Sequence, residues 1–174
     1  MRADFRPMEA NLTLRAASAG DLEAIMAIER TPGFERWVGR SSAEEHRAMM
    51  GDANTAYLVG EADDAVVAFA ILRDLGDPHG NRYLKRVAVV RPDAGVGGAF
   101  LELVVDWAFD RVGAHRFWLD CFSYNARAQR VYEKLGFTRD GVLREAYLGA
   151  DGARRDLTMM ALTRPQWAER SARR

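Results

Sequence analysis

The sequence predicts one α/β domain, with a mixed central sheet of about seven strands flanked by about four helices. Three observations predict it. Runs of strand-like and helix-like spacing follow in the order strand, two helices, three strands, helix, strand, helix, two strands. The run from Gly98 to Arg111 is apolar on most sides, as a helix packed against a sheet is. Turn-forming clusters separate the runs, and no stretch has the composition of a linker.

Leu12-Thr13-Leu14-Arg15 reads as a short strand. Ser18-Ala-Gly-Asp21 resembles a capping box with Asp in place of Glu. Leu22, Ile25, Met26 and Ile28 continue with helical spacing until Pro32-Gly33. Ser41 or Ser42 can cap a second helix running to about Met50. Thr55–Glu61 and Ala65–Leu75 read as strands around an Ala62-Asp-Asp64 turn. Gly76–Asn81 holds the turn-forming residue types, and Tyr83–Val90 is the next strand. Arg116–Phe122 is a strand and Asn125–Leu135 a helix, with Gly136 placed to end it in the left-handed conformation. Phe137–Leu148 and Arg154–Leu162 read as a long hairpin around Ala150-Asp-Gly152, and a short helix can follow Pro165. The domain is expected to span residues 1–174, with its core over 12–162 and a tail over 163–174.

Composition narrows the partners. Lys+Arg and Asp+Glu are both 25, so a zero net charge argues against nucleic acid as main partner. No apolar run is long enough for a membrane span, and Met-Arg-Ala-Asp-Phe-Arg-Pro lacks a signal-peptide core. The single cysteine, Cys121, rules out an internal disulfide and fits a reducing cytosol, so the expected location is cytoplasmic. His46, His79, His115 and Cys121 have no metal-ligand spacing, and no metal is expected.

Chemistry enters at Val90-Arg-Pro-Asp-Ala-Gly-Val-Gly-Gly-Ala-Phe100, between a strand and a helix. Its three glycines let the backbone turn tightly and approach a ligand closely. Free N–H groups at a helix start favour a phosphate or pyrophosphate. A purely structural turn has the same signature. Further along, Asn125, Gln129 and Tyr132 are spaced i, i+4, i+7 on one helical face, beside an apolar stripe of Ala128, Val131 and Leu135. Such a stripe can hold a tyrosine ring while its hydroxyl faces a cleft.

The element order, the turn at Gly95–Gly98 and the run Asn125-Ala-Arg-Ala-Gln-Arg-Val-Tyr-Glu-Lys-Leu-Gly-Phe137 together resemble the GNAT superfamily of N-acetyltransferases, over roughly Leu12 to Leu162. The resemblance implies a GNAT-like fold and acetyl-CoA as co-substrate, held between the parallel strands Tyr83–Val90 and Arg116–Phe122. It implies pantetheine pairing with backbone of Val87 and Val89, and pyrophosphate on amides of Ala94, Gly95, Val96, Gly97, Gly98 and Ala99. Asn125 would bond the pantetheine side, and Tyr132 would protonate the departing thiolate. Two departures stand out. Pro92 occupies the place of a usual Gln or Arg, with Arg91 one step earlier, and Asp93 puts a carboxylate in the turn. Tyr83 stands where related sequences often have an acid. Arg91, Arg127 and Lys134 remain as phosphate-binding cations.

The implied reaction is direct attack of a neutral amine, from a small molecule or a peptide, on the thioester carbonyl. A backbone N–H near Ala88 or Val89 could hold the oxyanion. Tyr132 is the general acid or packs on the cofactor; Tyr83 is a base, holds water or lines the cleft. Glu29 either takes a proton through water beside the amine or is a solvated helix end. Phe34, Trp37 and Val38 are acceptor-lip residues or ordinary core, and Glu145 and Tyr147 line the amine pocket or a plain strand face. Cys121 reads as a core thiol, and His115 has no assigned role. A non-catalytic acyl-CoA-binding module and a partner-binding domain are the alternatives. A monomer and a homodimer both fit.

Overall fold

A computed structural model describes residues 11–92 and 95–173. The roles expected of Asp93 and Ala94 therefore lie outside the described residues. The elements are β1 Thr13–Ala16, α1 Leu22–Glu29, α2 Ala43–Met50, β2 Thr55–Ala62, β3 Ala65–Arg73, β4 Asn81–Val89, α3 Val96–Asp110, β5 Arg116–Phe122, α4 Ala126–Lys134, β6 Thr138–Leu148, β7 Arg154–Thr163 and α5 Arg164–Ser171. The seven strands are ordered β1-β2-β3-β4-β5-β7-β6. The sheet is mixed: β4 and β5 run parallel, while β1–β2, β5–β7 and β6–β7 are antiparallel. The described residues thus carry the expected α/β order, with α5 as a fifth helix.

The chain clusters into two compact units, one built from residues through Ile71 with Arg86–Val104, the other from Leu72–Lys85 with Val105 onward. In the first, Ser18 opens a short 3-10 turn with the expected capping box to Asp21. The Asp21 carboxylate accepts from Ser18 N at 2.7 Å and from both Arg15 terminal nitrogens at 2.8 and 2.9 Å. Arg15 holds that carboxyl well below the usual range. Ser42 rather than Ser41 caps α2, accepting from Glu45 N. Ile25, Ile28, Tyr57, Val59, Phe69, Ile71 and Ala88 form the core. Phe34 and Val38 pack against it, which answers their expected ambiguity in favour of packing. Gly60 sits where an added Cβ would come 2.7 Å from the buried Phe100 ring.

In the second unit, β4 pairs with β5 from Asn81↔Arg116 to Leu84↔Leu119, and β5 pairs with β7 from Arg116↔Thr163 to Phe122↔Leu157. Inward residues alternate along β5: Phe117 and Leu119 are buried, with Leu135, Phe137, Met160 and Leu162 in the same core set. A buried guanidinium, Arg82, ties three loop carbonyls, from Val112 (3.0 Å), Asp74 (3.1 Å) and Asp77 (3.2 Å). Gly136 ends α4 at φ 93°, as its position predicts. Two register shifts interrupt β6 against β7, after Arg139 and after Leu143. α5 starts at Arg164 with Pro165 in its first turn, and the Arg164 guanidinium lies over the Phe109 and Trp167 rings.

The Gly60 contact makes a test of packing. Gly60→Ala should destabilise the protein by about 1–3 kcal/mol, because the buried Phe100 ring must shift to admit the added Cβ. A lowered urea midpoint at unchanged slope would show it; an unchanged midpoint would mean that the ring relaxes freely.

Candidate active site

In the first unit the glycine turn follows β4. Gly95 lies at φ 78°, a conformation that glycine adopts without strain. Val96 anchors the start of α3 by packing, 1% exposed, against Ala62 and Val67. The N–H groups of Gly98 and Ala99 turn back to the Gly95 carbonyl, at 3.1 and 3.4 Å. That departs from an anion cradle running to Ala99, since those two donors are used within the helix. The first-turn amides that precede the helical bonds are those of Val96 and Gly97. A Cβ on Gly97 would meet only the Val89 methyls at 3.7 Å or more, and one on Gly98 would meet nothing within 4 Å. Gly97 and Gly98 therefore leave open space beside the first turn of α3. Arg91 is exposed, Val87 half-buried, and Ala88 and Val89 are buried.

The same unit places Glu29 differently from a solvated helix end: it is fully buried. Its Oε1 accepts from Arg30 Nη1 at 2.6 Å, from Ser41 N at 3.2 Å and from His46 Nε2 at 3.2 Å. Its Oε2 accepts from Arg86 Nη1 at 2.9 Å. The His46 Nδ1 lies 2.8 Å from the Tyr57 hydroxyl, whose pKa burial pushes up to about 12. That phenol keeps its proton and donates to Nδ1, leaving Nε2–H to face the carboxylate. A position at the end of a helix signals exposure in sequence. Here the helix end is roofed by the segment that follows it. Trp37, in that segment, is 43% exposed.

In the second unit Tyr83 stacks on Trp118, with ring centroids 4.2 Å apart. Its hydroxyl donates to Asp120 Oδ2 at 2.7 Å. Burial first, and then this bond to Asp120, push the Tyr83 phenol above its ordinary value of 10.0. Burial does the same to Tyr132, which packs beside Phe137. Both phenols are proton holders at neutral pH and neither is a ready base. Asn125 is the cap of α4 and not part of its first turn: its Oδ1 accepts from Ala128 N at 3.1 Å. Gln129 Nε2 donates to the Ser123 carbonyl at 3.0 Å. The expected polar face is thus partly spent on holding the β5–α4 turn. Lys134 is exposed. Cys121 is half-buried rather than in the core, and burial raises its thiol to about 11, which disfavours the reactive thiolate.

Glu145 and Tyr147 do not lie on a plain strand face. Glu145 lies in the irregularity between Leu143 and Tyr147, where it has φ 53° and donates its N–H to Asp156 Oδ1 at 2.8 Å, and Tyr147 resumes the pairing opposite Arg155. Tyr147 is 42% exposed and sets its ring edge-on to Phe122. Asp120 is the polar residue that the sequence reading missed. It lies on the β5 face of Trp118, opposite the buried Phe117 and Leu119. Its signal was present: a carboxylate within an apolar strand needs a partner.

Comparison with known proteins adds four findings. The model of the acetyltransferase (GNAT) family matches residues 22–137. The ribosomal protein bS18-alanine N-acetyltransferase of Salmonella typhimurium is 32% identical over 155 residues, 86% of this chain and 96% of that protein. The spermidine N(1)-acetyltransferase of Vibrio cholerae is 22% identical over 175 residues, 94% of this chain and 99% of that protein. A crystal structure of the Vibrio cholerae spermidine N-acetyltransferase with CoA and spermine superposes with a TM-score of 0.80 at 19% identity, over 91% of this chain and 99% of that one.

The raised phenols carry a pH prediction. A phenol pKa above its ordinary value means that the proton is retained to higher pH. Spectrophotometric titrations of the wild type and Tyr83→Phe should therefore coincide up to pH 10.0 and separate only above it. Separation near neutrality would show an ionised Tyr83.

Proposed function

This chain belongs to the acetyltransferase (GNAT) family, and as an acetyl-CoA-dependent N-acetyltransferase we propose that it acetylates the primary amine of a protein N-terminus or a small molecule by direct attack on the thioester. Both units serve one acetyltransferase domain. Backbone of Val87 and Val89 pairs with the pantetheine, and an N–H at Ala88 or Val89 takes the oxyanion. The pyrophosphate rests on the amides of Val96 and Gly97, reached through the tight turn at Gly95. Gly98 and Ala99 keep the helix start open, and Arg91 and Lys134 supply charge. Asn125 offers its remaining amide nitrogen to the pantetheine side. Trp37 and Tyr147, both exposed aromatics, meet the acceptor. Glu29 influences the acceptor from within the protein, since its carboxylate is buried.

One observation carries the mechanism: Tyr132 is a buried phenol that retains its proton. A thiolate leaving group needs a proton at the moment the C–S bond breaks, and Tyr132 can give one. Asp120 is the carboxylate that takes a proton from the acceptor's ammonium, leaving the neutral amine to attack, with Tyr83 fixing its orientation through the 2.7 Å bond. A non-catalytic acyl-CoA module was suggested by the missing acid on β4. Asp120 on β5 supplies a carboxylate at the Tyr83 hydroxyl, so that argument falls. We place the enzyme in the cytosol, a reducing compartment that suits its single thiol, Cys121.

An acceptor panel tests the reading. Acetyl-CoA with an alanine-initiated peptide, spermidine and free amino acids, followed by mass spectrometry, should yield an acetylated amine. The 32% identity to the alanine N-acetyltransferase puts the peptide first. CoA release with no acetylated product from any amine would refute it.

Gly97→Glu should abolish CoA binding in calorimetry while the fold survives, because the added Cβ has room and the carboxylate faces the pyrophosphate. Undiminished affinity in the folded variant would remove the turn from the site. Tyr132→Phe should lower kcat by about 10²-fold, the low end of general-acid contributions, with little change in acetyl-CoA affinity. The ring and its packing remain and only the hydroxyl is lost. Wild-type turnover in Tyr132→Phe beside a dead Tyr83→Phe would move the acid role to Tyr83.

A further inference from the structure

The segment between α1 and α2 is tied down at both ends by one buried carboxylate. Arg30, where the segment begins, donates to Glu29 Oε1 at 2.6 Å. Ser41, where it ends, is gripped at three points. Its N–H donates to Glu29 Oε1 at 3.2 Å, its carbonyl accepts from Arg30 Nη2 at 2.7 Å, and its hydroxyl accepts from Arg86 Nη1 at 3.3 Å. Next to it, Gly39 lies so close to Arg86 that an added Cβ would stand 3.1 Å from Nη2. Arg86 in turn donates to Glu29 Oε2 at 2.9 Å and belongs to β4, one residue before Val87. His46 closes the remaining side of the carboxylate and hands the chain of bonds on to Tyr57. Phe34 and Val38 pin the middle of the segment to the core, and between them Trp37 stays 43% exposed.

Stability alone is a poor account of this cluster. A buried ion group is commonly no more stabilising than apolar residues of the same volume, and its loss of one partner is severe. What it provides that apolar packing does not is direction. Four donors, two from the segment and one each from α2 and β4, converge on one carboxylate, and each bond fixes an angle as well as a distance. The bonds link the segment to the strand assigned to the cofactor.

We infer that Glu29 is a positioning residue for the acceptor: through Arg86 and Ser41 it holds the Arg30–Ser41 segment in the conformation that presents Trp37 to the incoming amine. This rests on the reading of Trp37 as an acceptor contact. Glu29 touches neither substrate, so its effect falls on acceptor binding, while CoA binding and the proton transfers at Tyr132 are left alone. A role confined to holding the fold would lower stability and move no kinetic constant selectively.

The test uses Glu29→Gln, Ser41→Ala and Trp37→Ala in the full chain. The acceptor probe is an alanine-initiated peptide, or spermidine where that is the better substrate. Glu29→Gln should raise the acceptor KM about tenfold and Ser41→Ala about threefold, with kcat and the CoA dissociation constant within about twofold of wild type. Trypsin should cut after the exposed Arg36 and Arg40 faster in both variants, in the same order. Should Glu29→Gln fail to fold by circular dichroism, Ser41→Ala carries the test, since it removes a single hydroxyl. A raised KM in Trp37→Ala with wild-type KM in Ser41→Ala and in folded Glu29→Gln would overturn the positioning role and leave the acceptor surface standing. A wild-type KM in Trp37→Ala would overturn the acceptor reading and the inference with it.

Discussion

The parallel pairing of β4 and β5 is the constraint from which the site follows. Parallel neighbours cannot be joined by a tight turn, because the chain must return to the starting end of the sheet. α3 makes that return, and its first turn must then follow the last residues of β4. A helix start carries donors that the helix itself does not satisfy. Glycine at position 95 bends the chain sharply enough to reach the helix, and the glycines at 97 and 98 keep side chains away from it. The anion binding proposed for the turn thus rests on strand direction and on where glycine leaves room, in a turn that carries Pro92 and an exposed Arg91.

Buried polar chemistry is divided between two styles. The Glu29 group is an ion cluster in which every oxygen has a partner, and such a group resists change because removing one member strands the rest. The Tyr83–Asp120 pair is half-buried and simpler, one donor to one acceptor, with Trp118 stacked beside it. A carboxylate held by a single phenol keeps lone pairs for another proton. A carboxylate held by two guanidinium groups, an imidazole and an amide does not. On that difference rest the proton-transfer role proposed for Asp120 and the positioning role proposed for Glu29, although both are acids near helix or strand ends.

Element order was legible in the chain because each signal was local. Periodicity along Leu22–Ile28, the Ser42 cap, Gly136 and the turn types around Asp63–Asp64 act within a few residues. The motif around Tyr132 was legible for the same reason. What escaped detection was decided by distant partners. Glu29 read as solvated because its roof lies beyond the helix it ends. Asp120 went unnoticed because its meaning depends on Tyr83, on a different strand. The capping role of the Asn125 oxygen was hidden because it depends on a helix that starts one residue later than the motif suggests. The β6 irregularity had no glycine to announce it at position 145, since a side chain of Asp156 compensates the backbone there.

That irregularity bears on solubility. β6 is the outermost strand of the sheet, and Val142, Leu143 and Leu148 are exposed along it. A long, flat apolar edge invites another copy to add itself strand by strand. The two register shifts divide β6, and the left-handed Glu145 places a charged residue at the break. Such breaks interrupt a straight ladder, so this edge of the sheet resists strand-by-strand addition.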